Sequence, residues 1–170
     1  HLHMSLEDEK GRNLFASEDP EGGPLLKQAI AGMAATMAES TGIFAPNANS
    51  YRRFRRKSYA PMAPSWGVNN RSVSLRVPAG APETRHIEHR VAGADANPYL
   101  VVAAILAGIQ HGLINKLDCG PGVIGNSDEL NVPPHPSAWV NALDMFGKSQ
   151  VVRDAFGSGF QNVFTQLKQV

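Results

Sequence analysis

Two short segments of the chain carry side chains that suit the binding of metals and anions. The first, HLHMSL, alternates strictly between polar and apolar residues, which predicts a strand with His1, His3 and Ser5 on one face. Imidazoles ligate divalent metals, but most His-x-His pairs on strands bind none. The pair therefore indicates a metal site only if a carboxylate joins it.

The second segment, RHIEHRV, supplies that carboxylate. Its alternation predicts a strand on which His86, Glu88 and Arg90 share one face. The opposite face carries Ile87, His89 and Val91. A Glu-x-Arg pair alone is most often a structural ion pair, whereas a carboxylate combined with imidazoles is a ligand set for a divalent metal.

Arginine is concentrated in two further segments. In NSYRRFRRKSYAP, five of the six residues from Arg52 to Lys57 are cationic, although the formal net charge of the chain is only +1. NNRSVSLR adds Arg71 and Arg76. Guanidinium groups bind carboxylates and phosphates through paired hydrogen bonds, so arginines beside a metal indicate a polyanion held next to a carboxylate. Phosphoryl transfer uses this combination, because its catalysis consists of positioning and charge neutralisation.

Two other classes of protein remain open on these residues. A zinc hydrolase would use the His-x-His pair and Glu88 but would leave the arginines without a role. A nucleic-acid-binding module needs basic residues interleaved with stacking aromatics, and Tyr51, Phe54 and Tyr59 do interleave with the arginines. The rest of the chain, however, supplies no matching basic stripe. Tightly held zinc would favour the hydrolase, and a steep salt dependence of oligonucleotide binding would favour the module.

The elements that must position these residues give an α+β pattern. We expect antiparallel strands that line one side of the site, including one in RSVSLRVP, with helices packed behind them. One helix is predicted to begin at Pro24 and to run until Gly42. A second begins after the N-cap Asn97 and is apolar nearly all round, so it is predicted to be buried.

The remaining segments are predicted to be less regular. Residues 44–67 and 120–136 are rich in Pro, Gly, Asn and Ser, which predicts loops, the first with a helical turn near Asn49. Short helices that break at Gly147 and Gly157 are predicted to follow.

Composition limits the classes of protein further. The chain has 170 residues, which fits one domain or most of one, and 16 Lys and Arg balance 15 Asp and Glu, so no global field favours nucleic acid. The longest apolar run, YLVVAAILAGI, has 11 residues and is too short to span a bilayer. The single cysteine, Cys119, excludes an intramolecular disulfide and fits a reducing compartment. We therefore expect a cytoplasmic protein that binds neither nucleic acid nor membrane.

Four motifs in a fixed order carry a resemblance to a known family. HLHMSL, APNANSYRRF, NNRSVSLRVP and IEHRVAGADANPYLVVAAILAGIQHGL together resemble the C-terminal half of the catalytic domain of the glutamine synthetase family. The resemblance covers nearly the whole chain. IEHRVAGADANPYL and NSYRRFR look most like the γ-glutamylpolyamine synthetase branch, whose members join glutamate to putrescine and other amines.

The resemblance implies a fold and an activity. Residues 1–170 would be the C-terminal portion of a glutamine-synthetase-like catalytic domain from a longer protein that forms a homo-oligomeric ring. That protein would use ATP and Mg²⁺ (or Mn²⁺) to join the γ-carboxyl of glutamate to an amine through γ-glutamyl phosphate. Ordinary glutamine synthesis from ammonia is the alternative. The glutamates that complete the family's metal sites further upstream are not in this chain, so we expect the chain by itself to be inactive.

The resemblance also implies roles for individual residues. Arg71 would neutralise the phosphoryl group during its transfer. The predicted metal ligands are His1 and Glu88. The residues predicted to bind glutamate or the amine are Arg53, Arg90 and Tyr59. The residues predicted to contact ATP are His3, Ser5, Arg76 and Arg85. The other members of the basic run, Arg52, Arg55, Arg56 and Lys57, are predicted to form a solvated rim.

Two positions depart from the family pattern. The family usually has an arginine two residues before the metal-binding glutamate, and here that position is His86. Tyr59 stands where ammonia-using members have a glutamate that binds and deprotonates ammonium. A neutral tyrosine supplies no such negative charge, so the resemblance favours an alkyl amine over ammonia.

Overall fold

The fold combines one small sheet with a layer of helices. We describe it from a computed structural model that covers residues 1–56, 58 and 60–168. In this part of the chain the strands are β1 Leu2–Met4, β2 Trp66–Val68, β3 Leu75–Val77 and β4 Ile87–His89. The α-helices are α1 Pro24–Ala35, α2 Met37–Phe44, α3 Pro98–Ile114, α4 Trp139–Lys148 and α5 Gln150–Leu167. This is the predicted α+β class.

The four strands form a single sheet in the order β1-β4-β3-β2. β4 pairs in an antiparallel manner with both β1 and β3, as predicted, whereas β2 pairs with β3 in a parallel manner. The prediction that residues 44–67 are mostly loop holds for most of the segment, although α2 extends to Phe44 and β2 begins at Trp66. That strand has only three residues and follows a Pro-rich segment, so its own sequence gives little strand signal. The predicted turn near Asn49 is confirmed by a 3₁₀-helix at Ala48–Arg53.

The predicted helix from Pro24 to Gly42 is interrupted at Thr36. Thr36 has φ −97° and ψ 1°, and its hydroxyl donates to the carbonyl of Gly32 at 3.0 Å. Such bonding of a threonine to the preceding turn competes with the regular backbone ladder and bends helices. The chain continues as α2 and passes through Gly42 to end at Phe44.

Helices α1 and α3 cross at a contact made of backbone atoms. A Cβ atom on Gly112 would lie 2.0 Å from the carbonyl oxygen of Gln28, and one on Gly32 would lie 2.1 Å from the carbonyl oxygen of Gly108. Only glycine permits so close an approach. The N-cap prediction for α3 is confirmed, since the Asn97 side chain accepts hydrogen bonds from the amides of Tyr99 and Leu100.

The C-terminal helices close the hydrophobic core. α4 ends at Lys148, one residue beyond the predicted break at Gly147, and Gly157 interrupts α5 with φ 80° and ψ 151°. Phe146 and Phe164 are buried and lie 4.7 Å apart between ring centroids. No helix in the described part of the chain is long and apolar enough to cross a bilayer.

The strands present two chemically different faces. Leu75, Val77 and Ile87 point into the hydrophobic core that the helices cover. On β1, Leu2 and Met4 pack against the same core, while His1, His3 and Ser5 are exposed, as the alternation predicted. The polar face of the sheet therefore lies opposite the helices, where the candidate site is found.

Candidate functional site

The sheet register brings three of the predicted residues into one row. His3 of β1 lies opposite Glu88 of β4, and Glu88 lies opposite Arg76 of β3. Because directly opposed residues in a sheet have their side chains on the same face, an imidazole, a carboxylate and a guanidinium stand side by side across three strands.

Glu88 is the centre of this face. Its side chain is only 4% exposed, and its two oxygens contact three nitrogen-bearing side chains. Oε1 lies 2.8 Å from His1 Nδ1 and 2.8 Å from an Arg90 Nη atom, and Oε2 lies 2.9 Å from an Arg76 Nη atom. We call these four residues, His1, Arg76, Glu88 and Arg90, the Glu88 cluster. The structure thus brings together residues that are 89 positions apart in the chain.

The electrostatics of the cluster favour an ionised Glu88 and a bound anion. Burial raises the pKa of Glu88, but the hydrogen bond from Arg76 and the charges of Arg90 and Arg76 outweigh it, so the net pKa is lowered. One buried carboxylate faces two guanidinium groups, which leaves an excess of positive charge on this face. A carboxylate with two oxygens has about four acceptor directions, and three are used here.

Arg71 adds a further cation beside the cluster. Its backbone carbonyl accepts a hydrogen bond of 2.8 Å from Arg90 Nη2, which ties it directly to the cluster. The Arg71 side chain is exposed and makes no hydrogen bond or ion pair with the described residues. Arg71 also lines an open groove of about 770 Å³ together with Asn69, Asn70 and the loop at 121–125. Asn69 belongs to the site as well, because its side-chain oxygen accepts from Arg76 Nη2 at 2.5 Å.

His3 and Ser5 lie at a second, smaller cavity of about 350 Å³. His86 lines the same cavity, and its Nε2 lies 3.0 Å from His3 Nδ1. His86 Nδ1 lies 2.7 Å from the carbonyl oxygen of Thr84, which only accepts, so this nitrogen carries the proton. When both rings are neutral, His86 Nε2 accepts from His3 Nδ1, and His3 Nε2 is left with an open lone pair.

The basic run divides into one half-buried arginine and an exposed remainder. Arg53 packs over the ring of Phe54 at 4.4 Å and donates to the carbonyl of Val91, the residue that follows Arg90. Burial lowers the pKa of Arg53, which the charge of Asp95 partly offsets. The remaining described arginines of the run, Arg52, Arg55 and Arg56, are exposed, which agrees with the predicted solvated rim. Tyr59 and Lys57 lie outside the described residues.

Arg85 is not brought to the site. The residue is 4% exposed, and its Nη2 atom donates to the carbonyl of Ser17 at 3.2 Å. Its position two residues before Ile87, which points into the core, places it on the opposite side of the chain from His86 and Glu88. The structure therefore gives the expected nucleotide contact of Arg85 no support, and the neighbouring His86 lines the cavity instead.

Several residues of the site were not predicted from the sequence. Asn69 and Asn70 lie in an irregular segment, which gives no periodic signal. Asn69 contacts Arg76, seven positions away, and Asn70 contacts the loop 119–127, more than 50 positions away. The contact between His86 and His3 was also missed, although both residues had been placed on strand faces. The alternation gave the face of each residue but not which strands pair.

The donor set for a metal is partial within this chain. No group of three or more His, Cys, Asp or Glu side chains that could hold an ion occurs among residues 1–56, 58 and 60–168. His1 and Glu88 form a pair of suitable donors. Mg²⁺ is commonly held by one or two carboxylates, with phosphate oxygens and water completing the octahedron, so Glu88 fits such an ion as its carboxylate ligand and His1 lies beside it as a second donor.

Comparison with known proteins identifies the family. The family model described as glutamine synthetase, catalytic domain, matches residues 1–170. The chain belongs to the glutamine synthetase family. Among curated relatives, γ-glutamylputrescine synthetase PuuA of Escherichia coli (strain K12) is 45% identical over 168 residues, which are 99% of this chain and 36% of that protein. Glutamate–isopropylamine ligase of a Pseudomonas species is 36% identical over 175 residues, 99% of this chain and 38% of that protein.

Solved structures support the fold. A structure of GmaS without ligand superposes with a TM-score of 0.86 at 24% identity and covers 98% of this chain and 39% of the GmaS chain. The chain thus spans little more than a third of the length of the relatives that it matches. The comparison shows that the fold is that of part of a glutamine-synthetase-type protein.

Proposed function

We propose that the full-length protein containing this chain ligates the γ-carboxyl of glutamate to an amine at the expense of ATP. The observation that carries the proposal is Glu88, a buried carboxylate held by His1, Arg76 and Arg90 beside the exposed Arg71. This anion-binding face occurs in a chain of the glutamine synthetase family whose relatives include two γ-glutamyl-amine ligases. Residues 1–170 would form the C-terminal portion of the catalytic domain, in a protein that assembles as a ring.

The reaction has two steps in this proposal. An oxygen of the glutamate γ-carboxylate attacks the γ-phosphorus of ATP, the bond to the bridging oxygen breaks, and ADP leaves. The amine nitrogen then attacks the acyl carbon of γ-glutamyl phosphate, loses a proton and expels phosphate. Both steps pass through states with concentrated negative charge, so preorganised cations lower their barriers.

The residues of this chain would act by binding and neutralisation. His1 and Glu88 would hold a Mg²⁺ or Mn²⁺ ion, which neutralises phosphate charge when bound. Arg71, whose guanidinium is uncommitted among the described residues, would contact the transferred phosphoryl group. Arg76 would contact the phosphates of ATP, and Arg90 and Arg53 would hold glutamate. The excess of guanidinium over carboxylate in the cluster supports the anion-binding roles of Arg76 and Arg90.

The nucleotide would lie along the exposed edge of β1. The open lone pair on His3 Nε2 accepts hydrogen bonds, and the Ser5 hydroxyl both donates and accepts. These groups suit the hydroxyl and amino donors of a nucleoside. We therefore assign His3, Ser5 and His86 to this region and leave out Arg85, which is buried against Ser17.

The amine is inferred from the relatives and from one sequence position. The two curated relatives act, by their names, on putrescine and isopropylamine. Tyr59, which stays a sequence-based prediction, supplies an aromatic surface for an alkyl amine and no negative charge for ammonium. We propose an alkyl amine or diamine as the substrate.

The chain of residues 1–170 should be inactive by itself. Two ligands from the protein leave a hard cation mostly hydrated and weakly held. Formation of an amide by the isolated chain with ATP, Mg²⁺, glutamate and an amine would contradict this expectation.

The proposal is tested by assaying the full-length protein with ATP, Mg²⁺ and glutamate against ammonium and a panel of amines that includes putrescine and isopropylamine. We expect ADP release that depends on both glutamate and an alkyl amine, with kcat/KM higher for the amine than for ammonium. Ammonium as the best substrate would indicate ordinary glutamine synthesis. Absence of ADP release with every nitrogen donor would overturn the ligase assignment.

A further inference from the structure

Arg71 lies in a segment without regular secondary structure between β2 and β3. Its guanidinium makes no hydrogen bond or ion pair with the described residues, so its position depends on how its backbone is held. An arginine that stabilises a transition state must be held to within a fraction of an ångström, and irregular segments are not rigid by themselves. The contacts of its neighbours therefore decide whether Arg71 is preorganised.

Asn70, the preceding residue, uses the full hydrogen-bonding capacity of its side chain. Its Nδ2 group donates to the carbonyl of Val123 at 3.1 Å and to that of Gly125 at 2.8 Å. Its Oδ1 atom accepts from the amide of Ser72 at 2.9 Å and from the Ser72 hydroxyl at 2.7 Å. The backbone partners fix the orientation of the amide, because carbonyls only accept and the Ser72 amide only donates.

Asn70 and Ser72 are the residues before and after Arg71, and both of them hydrogen-bond to the loop 119–127. The Ser72 hydroxyl also accepts from the amide of Ser127 at 2.9 Å. The loop is itself attached to β2, since the Val123 amide donates to the Trp66 carbonyl at 2.8 Å. From the other direction, Arg90 of the Glu88 cluster donates to the Arg71 carbonyl at 2.8 Å. The Arg71 backbone is thus held between a hydrogen-bonded loop and the cluster.

We infer that Asn70 is a positioning residue for phosphoryl transfer, which fixes the Arg71 backbone so that its guanidinium meets the transferred phosphoryl group. The inference rests on the proposed function of Arg71. The inference also gives a role to the loop 119–127, which has no candidate catalytic residue of its own. This loop would hold the Asn70 side chain in place. Asn70 itself need not touch substrate, because all four of its hydrogen-bonding positions are occupied by protein.

The isosteric substitution Asn70→Asp tests this role in the full-length protein. It keeps the size of the side chain and its acceptor to Ser72, but it replaces the donor to Val123 and Gly125 with an oxygen that faces two carbonyls. We expect kcat to fall at least about tenfold, while KM for glutamate changes less than about threefold. Asn126→Ala is the matched control, because Asn126 is an exposed asparagine of the same loop whose side chain caps only the Asp128 amide in the contacts seen.

A double-mutant cycle separates positioning of Arg71 from general loss of structure. In an Arg71→Ala background, Asn70→Asp should cause no further loss of kcat, because the group that it positions is gone. An additive loss in that background, or unchanged kcat in Asn70→Asp alone, would overturn the inference. An Arg71→Ala protein with full activity would overturn it too and would remove Arg71 from the mechanism, while leaving the ligase activity itself established.

Two further measurements keep the test decisive if a variant folds poorly or the protein is not a ligase. Ser72→Ala removes one contact of Asn70 and the hydroxyl that accepts from the Ser127 amide, without placing a new charge, and it should reproduce the fall in kcat at a Tm within a few degrees of the parent. If no ligase activity is found, calorimetric binding of inorganic triphosphate replaces kcat. If Asn70→Asp weakens triphosphate binding in the parent protein but not in the Arg71→Ala background, the inference is supported. If the parent protein and Asn70→Asp bind triphosphate equally, the inference is overturned.

Discussion

Glu88 and His89 are adjacent residues of β4 and are buried to almost the same extent, but they differ in ionisation. Glu88 is 3% exposed and His89 is 2% exposed. Their side chains point to opposite faces of the sheet, as alternation requires. On one face the buried group keeps its charge, and on the other the buried group is neutral.

The partners of the two residues explain the difference. Glu88 is surrounded by Arg76, Arg90 and His1, and the two guanidinium groups keep its pKa low in spite of burial. His89 packs against the ring of Phe44 at 4.6 Å, and its Nδ1 atom has no hydrogen-bond partner among the described residues. Burial, reinforced by the nearby His135, lowers the pKa of His89 to about 3. Burial by itself therefore does not decide ionisation, because the partner groups do.

The two faces also differ in what they contribute. Burying a charged cluster is of little benefit to stability compared with apolar packing, so the arrangement around Glu88 is better explained by binding than by folding. His89 and the neighbouring His135, whose pKa burial lowers to about 4, belong to the packed interior. We call the buried side that holds His89 and His135 the histidine face. Activity should therefore depend on Glu88, and the free energy of unfolding should depend on the histidine face.

The largest expected effect is on catalysis and comes from Glu88. In the full-length protein, Glu88→Ala should lower kcat/KM by at least about a hundredfold and raise the Mg²⁺ concentration needed, because it removes the charge that organises the cluster. His89→Leu is the matched control on the opposite face and should stay within about twofold of the parent. A catalytically dead His89→Leu protein with parental stability would mean that the two faces are assigned the wrong way round.

The second prediction concerns acid unfolding of the histidine face. Unfolded histidines take up protons near pH 6.5, whereas the folded values are about 3 for His89 and about 4 for His135. The unfolded state thus binds more protons between these limits, and the free energy of unfolding must fall as the pH falls through this window. At pH 5 the loss should be about 2 kcal/mol for each histidine.

Chemical denaturation from pH 8 to pH 3 measures this loss. The contribution of Glu88, whose folded pKa is lowered from 4.5, is present above its unfolded pKa and is lost only as the pH falls below that value. The histidines should therefore begin to cost stability below about pH 6.5, and Glu88 only below pH 4.5, where the two losses overlap. A flat unfolding free energy between pH 6.5 and pH 5 would contradict the neutral, buried state of the histidines.

The third prediction isolates His89 from His135. His89→Leu removes one titrating group and a polar atom without a partner, so the loss between pH 6.5 and pH 5 should shrink to about half, or about 2 kcal/mol. At pH 7.5 the stability should stay within about 1.5 kcal/mol of the parent, since the volumes are similar. The same titration of Phe44→Leu serves as a control, because it alters the packing around His89 without removing a titrating group. An unchanged pH dependence in His89→Leu would assign the whole effect to His135.

The smallest expected effect concerns Arg85, which the family resemblance assigned to ATP and the structure buries against Ser17. Arg85→Gln should lower the free energy of unfolding by about 1–3 kcal/mol through loss of a charged hydrogen bond. KM for ATP should change less than about twofold. A large rise in KM for ATP at unchanged Tm would return Arg85 to the nucleotide site. It would contradict the conclusion that residues on the opposite side of the chain from Glu88 serve stability alone.

The sequence by itself determined which residues share a face. Strand alternation is a local property of the chain, so it correctly placed His1 with His3 and Glu88 with Arg90, and it separated both pairs from His89. Side-chain capping is also local, which is why the start of α3 at Asn97 was found. The α+β class followed from the same periodicities.

Only the tertiary structure decided which of these faces meet. The row of His3, Glu88 and Arg76 depends on the pairing and register of three short strands. His3 and Glu88 are 85 positions apart, and no local pattern encodes a partner at that distance. The same holds for Asn70, whose contacts with the loop 119–127 span more than 50 positions. The break of the first helix at Thr36 was missed because a side-chain bond to Gly32 overrode a favourable helix pattern. The chemistry of each residue was readable from the sequence, whereas the site exists only because long-range pairing brings those residues together.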